Sequence, residues 1–105
     1  MIPLTGNPSD IEVRRLTKLF GRKTNILEDA FSGNKDEYVI KEHEVGRSKG
    51  HHLNLSDIHD YFRTLLEHMG YDVRPNNGLT KTSKEVRISG EAYKRAKTAY
   101  ELFSD

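Results

Sequence analysis

Four basic side chains near the start of the chain fall on one side of a predicted helix: Arg14, Arg15, Lys18 and Arg22. If the helix persists to Arg22, these residues share an arc opposite the apolar positions, with no acid between them on that arc. Like charges three or four residues apart repel one another unless an anion or an acidic partner neutralises them. The pattern indicates contact with phosphate groups, and the competing interpretation is an ordinary solvated helix face.

A glycine-bracketed turn at residues 46–50 is the second candidate. It carries Arg47 and Lys49 and is followed by His51 and His52. Such a loop presents hydrogen-bond donors to a phosphate backbone. The GxxxxGK[ST] spacing of a nucleotide-binding loop is absent. The alternative is a flexible hairpin turn whose charges serve solubility.

The third candidate is the basic C-terminal part of the chain. We predict contacts from Lys84, Arg87 and Lys94, which lie among further basic residues in residues 71–103. The run EVRISGEAYKRAKTAYELF resembles the closing strand and helix of KH domains, a family that binds RNA and single-stranded DNA. The resemblance covers about 30 residues. The paired ββα pattern also resembles the winged sheet domain of a phage middle-promoter activator. The KH binding signature, a GxxG loop between two helices, does not occur.

Metal binding and catalysis have little support in the sequence. The five histidines show neither HxxxH nor HExxH spacing, and the absence of cysteine excludes disulfides, thiol catalysis and thiolate zinc sites. Nucleophile motifs and a dinucleotide-binding fingerprint are also missing. We therefore predict a protein that is not an enzyme and uses neither a metal nor a cofactor.

The composition bounds the class of protein. The chain has 105 residues, of which 34% are apolar and 31% charged, with a net charge of +1. This length predicts one domain over residues 1–105, with residues 1–6 as a flexible lead. Signal-peptide, membrane-span and lipidation patterns are absent. We therefore expect a cytoplasmic protein with no membrane partner.

The segment with the strongest helical pattern is 56–69. Ser56 is its predicted N-cap, and Gly70 can adopt the left-handed conformation that ends a helix. Its apolar residues share one face and predict the centre of the core: Ile58, Tyr61, Phe62, Leu65, Leu66 and Met69.

Two more helices are predicted before this segment. The first has Asn7 as its N-cap, Pro8 in its first turn and Gly21 as its end. Its predicted apolar face consists of Val13, Leu16, Leu19 and Phe20. Thr24 is predicted to cap a second helix over residues 25–31.

Strand-forming residues follow in four segments: 37–45, 52–55, 71–74 and 85–88. Residues 79–83 are predicted as a polar loop, and Ser89 or Gly90 caps a last helix that runs to Phe103. Together these elements predict an α+β fold. A helical N-terminal segment precedes two strand-turn-strand-helix units, which form a small antiparallel sheet with helices packed on one face.

The sequence favours a small regulatory or accessory protein that binds nucleic acid, DNA or RNA, through phosphate contacts. The alternative is a protein-interaction module, an adaptor or inhibitor of the phage or accessory type, that makes no nucleic-acid contact. Basic groups that converge on one surface would favour nucleic acid. Scattered charges together with an exposed apolar patch would favour a protein partner.

Overall fold

The computed structural model describes residues 9–45, 53–74 and 77–104. The predicted lead at 1–6 and the turn at 46–50 lie outside these ranges. The described helices are α1 (Asp10–Lys23), α2 (Ile26–Phe31), α3 (Glu42–Val45), α4 (Leu55–His68) and α5 (Gly90–Phe103). The described strands are β1 (Glu37–Lys41), β2 (Leu79–Lys81) and β3 (Glu85–Ser89). The α+β fold is thereby confirmed.

The three strands form one antiparallel sheet in the order β1-β3-β2. On one face, Ile40 pairs with Val86 and Leu79 pairs with Ile88. These four side chains are buried because α4 and α5 pack on this face. Arg87 lies on the opposite face and is exposed. The sheet therefore has one apolar face under helices and one charged face towards solvent.

Helix α4 is the centre of the core, as its sequence predicts. Ile58, Phe62 and Leu65 are completely buried, and Gly70 has a φ of 74° just after the helix. The predicted N-cap, Ser56, is wrong. Asn54 caps the helix, since its side chain accepts a hydrogen bond from the Asp57 amide while the Asp57 carboxylate accepts one from the Asn54 amide, both at 3.0 Å. This reciprocal pair starts the helix earlier than predicted.

Helix α1 differs from the prediction at both ends. Ser9 is the N-cap and accepts a hydrogen bond from the Glu12 amide at 3.2 Å, whereas Asn7 lies outside the described residues. The helix continues through Gly21 to Lys23. A single glycine near a helix end costs only about 1 kcal/mol, so tertiary packing can extend the helix beyond it.

The apolar face of α1 is also rotated relative to the prediction. Leu19, predicted to be in the core, is 42% exposed, while Thr17 is buried. The Thr17 hydroxyl donates to the Val13 carbonyl at 2.9 Å and bonds the Tyr61 hydroxyl at 2.7 Å. The polar side chain of Thr17 can be buried in the core because its hydrogen bonds are satisfied.

The predicted strand 37–45 is too long. Pairing with β3 ends where the Glu42 amide donates to the Lys84 carbonyl at 2.9 Å. The chain then turns into α3, and the Glu44 carboxylate accepts a hydrogen bond from the Lys41 amide at 2.8 Å. The side chain thus supplies the bond that a further strand partner would have made.

The predicted strands around the central helix are wrong as well. At 52–55, the described residues are Leu53, the N-cap Asn54 and the first residue of α4, and His52 lies outside the described ranges. At 71–74, the Asp72 side chain accepts hydrogen bonds from Arg74, and these local bonds replace strand pairing. The predicted loop 79–83 contains β2, because Leu79 is buried against the helices. The last helix is confirmed, and its buried Ala92, Ala96 and Ala99 allow close packing.

Candidate binding surface on the first helix

Aromatic and hydroxyl contacts fix the rotation of α1 on the core. The Phe20 ring stacks on the Tyr61 ring of α4, with centroids 4.9 Å apart and planes 14° apart. Thr17 bonds the same tyrosine. Burial raises the pKa of the Tyr61 hydroxyl, so the group remains protonated and able to share this bond at neutral pH. These contacts determine which face of α1 is turned outward.

The beginning of α1 is held by the ends of α4 and α5. The Asp10 carboxylate lies 3.1 Å from Nε2 of His68. The His68 ring meets the Phe103 ring edge to face at 4.9 Å, and the Arg14 guanidinium lies over Phe103 at 5.5 Å from the ring centroid. Cation–π contacts of this kind contribute about 0.5–1 kcal/mol at exposed sites. Arg14 is therefore positioned by packing as well as by charge.

The outward face of α1 combines cations with two exposed aliphatic side chains. Ile11 is 77% exposed and Leu19 is 42% exposed. An open groove of about 470 Å³ runs along this face. We call the described residues that line the groove the α1 surface: Ile11, Arg14, Arg15, Lys18, Leu19 and Arg22.

The four cations of the α1 surface form no ion pair with any carboxylate in the described part of the chain. The other four arginines there are paired: Arg63 with Glu67 at 3.2 Å, Arg74 with Asp72, Arg87 with Glu37 at 3.3 Å, and Arg95 with Glu91 at 2.8 Å. The Arg95 guanidinium lowers the pKa of the Glu91 carboxyl through their hydrogen bond. Arg14, Arg15 and Arg22 are thus unlike the rest of the arginines that the structure describes.

Three other predicted contact residues, those that the structure describes, do not join the α1 surface. Arg87 lies on the solvent face of the sheet, turned away from α4 and α5, and forms ion pairs with Glu37 at 3.3 Å and Glu85 at 3.5 Å. Lys84 is exposed in the turn between β2 and β3, and Lys94 is exposed on α5. Arg47 and Lys49 lie outside the described residues. The described part of the predicted basic surface is therefore divided among separate elements.

Sequence reasoning missed the two aliphatic members of the surface. The apolar spacing of the sequence predicts Leu19 in the core and indicates no role for Ile11. The available signal was their spacing, because Ile11, Arg15 and Leu19 are each four residues apart and lie in one row on a helix.

Metal binding gains no support among the described residues, which contain no group of three or more suitable ligands. His51 and His52 lie outside the described residues.

Within the described ranges, no helix has the length and apolar character needed to cross a membrane. Comparisons with protein-family models, with curated proteins and with solved structures each found no match for this chain.

Proposed function

We propose that the protein is a non-catalytic interaction module that binds an acidic partner protein through the α1 surface. The observation that carries this proposal is the presence of Ile11 and Leu19 on the same helix face as four cations that form no ion pair with a described carboxylate. Each component alone is common on protein surfaces. Their combination is what distinguishes this face.

The aliphatic side chains favour a protein partner over nucleic acid. Burying an exposed Ile or Leu side chain contributes about 1.5–3 kcal/mol, and a partner with apolar groups can provide that burial. A phosphate backbone offers no comparable apolar surface. Arginine is also among the residues enriched at interface hot spots, and three of the four cations are arginines.

The cations set the sign of the partner's charge. Arg14 and Lys18, and again Lys18 and Arg22, are like charges four residues apart, which destabilise a helix by about 0.2–0.5 kcal/mol per pair. Carboxylates placed opposite them would remove this repulsion and would raise the association rate. The predicted partner surface is therefore acidic with an apolar centre.

The test measures binding of two defined ligands to the full chain by fluorescence anisotropy. One ligand is a synthetic peptide of glutamate and leucine, and the other is a duplex DNA of 20 base pairs. Lys18→Glu with Arg22→Glu removes the charge, and Ile11→Ser with Leu19→Ser removes the apolar contact. We expect both double variants to lose peptide binding.

Matched controls lie elsewhere on the molecule. Lys94→Glu reverses an exposed cation on α5, and Leu102→Ser removes a leucine that is 58% exposed. Both should bind the peptide like the wild type. The proposal is overturned if the chain prefers DNA to the peptide and the serine variant binds normally.

Nucleic-acid binding is the second candidate function, and it is favoured by the four cations of α1 that have no ion-pair partner in the described ranges. Four phosphate contacts would give a slope of about −3.6 for log affinity against log salt, and each cation removed would reduce the slope by about one unit. In that case the protein is a regulatory or accessory nucleic-acid binder. Duplex DNA should show this slope in the anisotropy assay, and single-stranded DNA or RNA should show a slope of about −2.8.

A further inference from the structure

The α1 surface consists of two parallel rows of side chains, each with a spacing of four residues. Ile11, Arg15 and Leu19 form one row, and Arg14, Lys18 and Arg22 form the other. These rows supply the described lining of the groove of about 470 Å³. Rows of this kind are the ridges of an α-helix, and the space between two of them receives a ridge of another helix when helices pack.

We propose that the occupant of this groove is an amphipathic acidic α-helix of a partner protein. This inference rests on the proposed function and specifies the form of the partner. The partner's ridge lies between the two rows, with its carboxylates towards Arg14, Lys18 and Arg22 and its aliphatic side chains towards Ile11 and Leu19. Charge complementarity and shape thus select the same orientation.

Helix geometry gives the sequence pattern of the partner. Ile11 and Leu19 are eight residues apart, which is about 12 Å along the helix axis. A partner helix reaches the same distance with aliphatic residues seven or eight positions apart. The three cations of the other row have the same span, so they match carboxylates at about four-residue intervals.

Two other occupants fit the surface less well. In a symmetric pair of copies of this chain, the cationic row of one α1 would face the same row of the other. An anionic lipid surface requires a broad apolar face that enters the membrane, whereas the apolar residues of α1 other than Ile11 and Leu19 are turned towards the core. Both alternatives are included as outcomes of the test.

The experiment compares two peptides of identical composition with the full-length chain. In the patterned peptide, leucines at seven-residue spacing adjoin glutamates at four-residue spacing; in the second peptide the order is scrambled. We expect the patterned peptide to bind at least about tenfold more tightly and to gain helical circular dichroism on binding. Leu19→Ser should weaken its binding, and Leu102→Ser should not.

A charge swap tests the orientation. The Arg15→Glu, Lys18→Glu, Arg22→Glu variant leaves Arg14 as the one cation of the α1 surface beside three carboxylates. It should lose the glutamate peptide and instead bind a patterned peptide in which lysine replaces glutamate. Equal affinity for the patterned and scrambled peptides, or loss of the glutamate peptide without gain of the lysine peptide, overturns the helix inference and leaves the proposed function standing. If the variant keeps the glutamate peptide, the proposed function is contradicted as well. If neither peptide binds and duplex DNA does, the proposed function fails too. Binding only to anionic vesicles, or a concentration-dependent dimer that Lys18→Glu stabilises, also overturns the inference.

Discussion

Replacing Gly78 with alanine should destabilise the protein more than any other glycine-to-alanine change among the described residues. Gly78 has a φ of 95°, a conformation that residues with a side chain rarely adopt. An added Cβ would lie 2.6 Å from the Cβ of Ala92 and 2.8 Å from the Ser89 carbonyl oxygen. Neither neighbour can move easily, because Ala92 is completely buried in α5 and the other contact is with backbone.

The expected cost is the sum of two effects. A non-glycine residue in a left-handed conformation costs about 1–2 kcal/mol, and overpacking a rigid interior costs about 1–3 kcal/mol. Gly78→Ala should therefore lower the free energy of unfolding by about 2–5 kcal/mol. It should also weaken the bond from the Ser89 amide to the Gly78 carbonyl, which is 2.8 Å long and ties this turn to the start of α5.

Two other glycines provide matched controls in urea denaturation. Gly70 has a φ of 74° but open space around its Cα, so Gly70→Ala should show only the backbone cost of about 1–2 kcal/mol. Gly21 lies in α1 with nothing within 4 Å of an added Cβ, and Gly21→Ala should stabilise by about 0.5–1 kcal/mol. If Gly78→Ala costs no more than Gly70→Ala, the close contact with Ala92 does not exist in the protein.

Two further substitutions test the core and its pH dependence. Leu65→Ala empties a completely buried position of α4 and should cost about 2–4 kcal/mol in the same denaturation assay; a loss under about 0.5 kcal/mol would show that α4 is rotated. Burial lowers the pKa of His59, with Arg63 and Lys81 acting in the same direction and Asp60 opposing them. Its stabilising contribution is therefore present above the unfolded pKa of about 6.5 and lost as the pH falls below that value and through the lower pKa of the folded state. His59→Gln should reduce the acid-induced loss of stability, and an unchanged pH profile would contradict the burial of His59.

Local sequence was sufficient to predict an element where the residues followed only one secondary-structure pattern. The apolar spacing of α4 predicts both the helix and its buried face, because six apolar residues at helical spacing leave only one face to turn inward. Gly70 is predicted as the end of that helix for another local reason, because glycine readily adopts a positive φ. The last helix was predicted through Phe103 because its alanines and aromatic residues follow the same period.

Tertiary contacts decided the remaining elements. Residues 79–81 have little strand character of their own and become β2 because Leu79 is buried on the sheet beside Ile88. Residues 71–74 look like a strand but form side-chain bonds to their own backbone. Strand formation depends on a partner that is distant in sequence, so its local signal is weak.

In the candidate site, too, the sequence determines some features and tertiary contacts determine the others. The sequence determined the cationic row Arg14, Lys18 and Arg22, because their spacing alone places them on one side of a helix. Only the tertiary structure decided that Leu19 is exposed beside them, since the bond between Thr17 and Tyr61 turns a polar residue inward. A buried hydroxyl is stable only with a partner, and this partner lies 44 positions away in the chain. That long-range hydrogen bond sets the rotation of α1 and therefore the composition of its outward face.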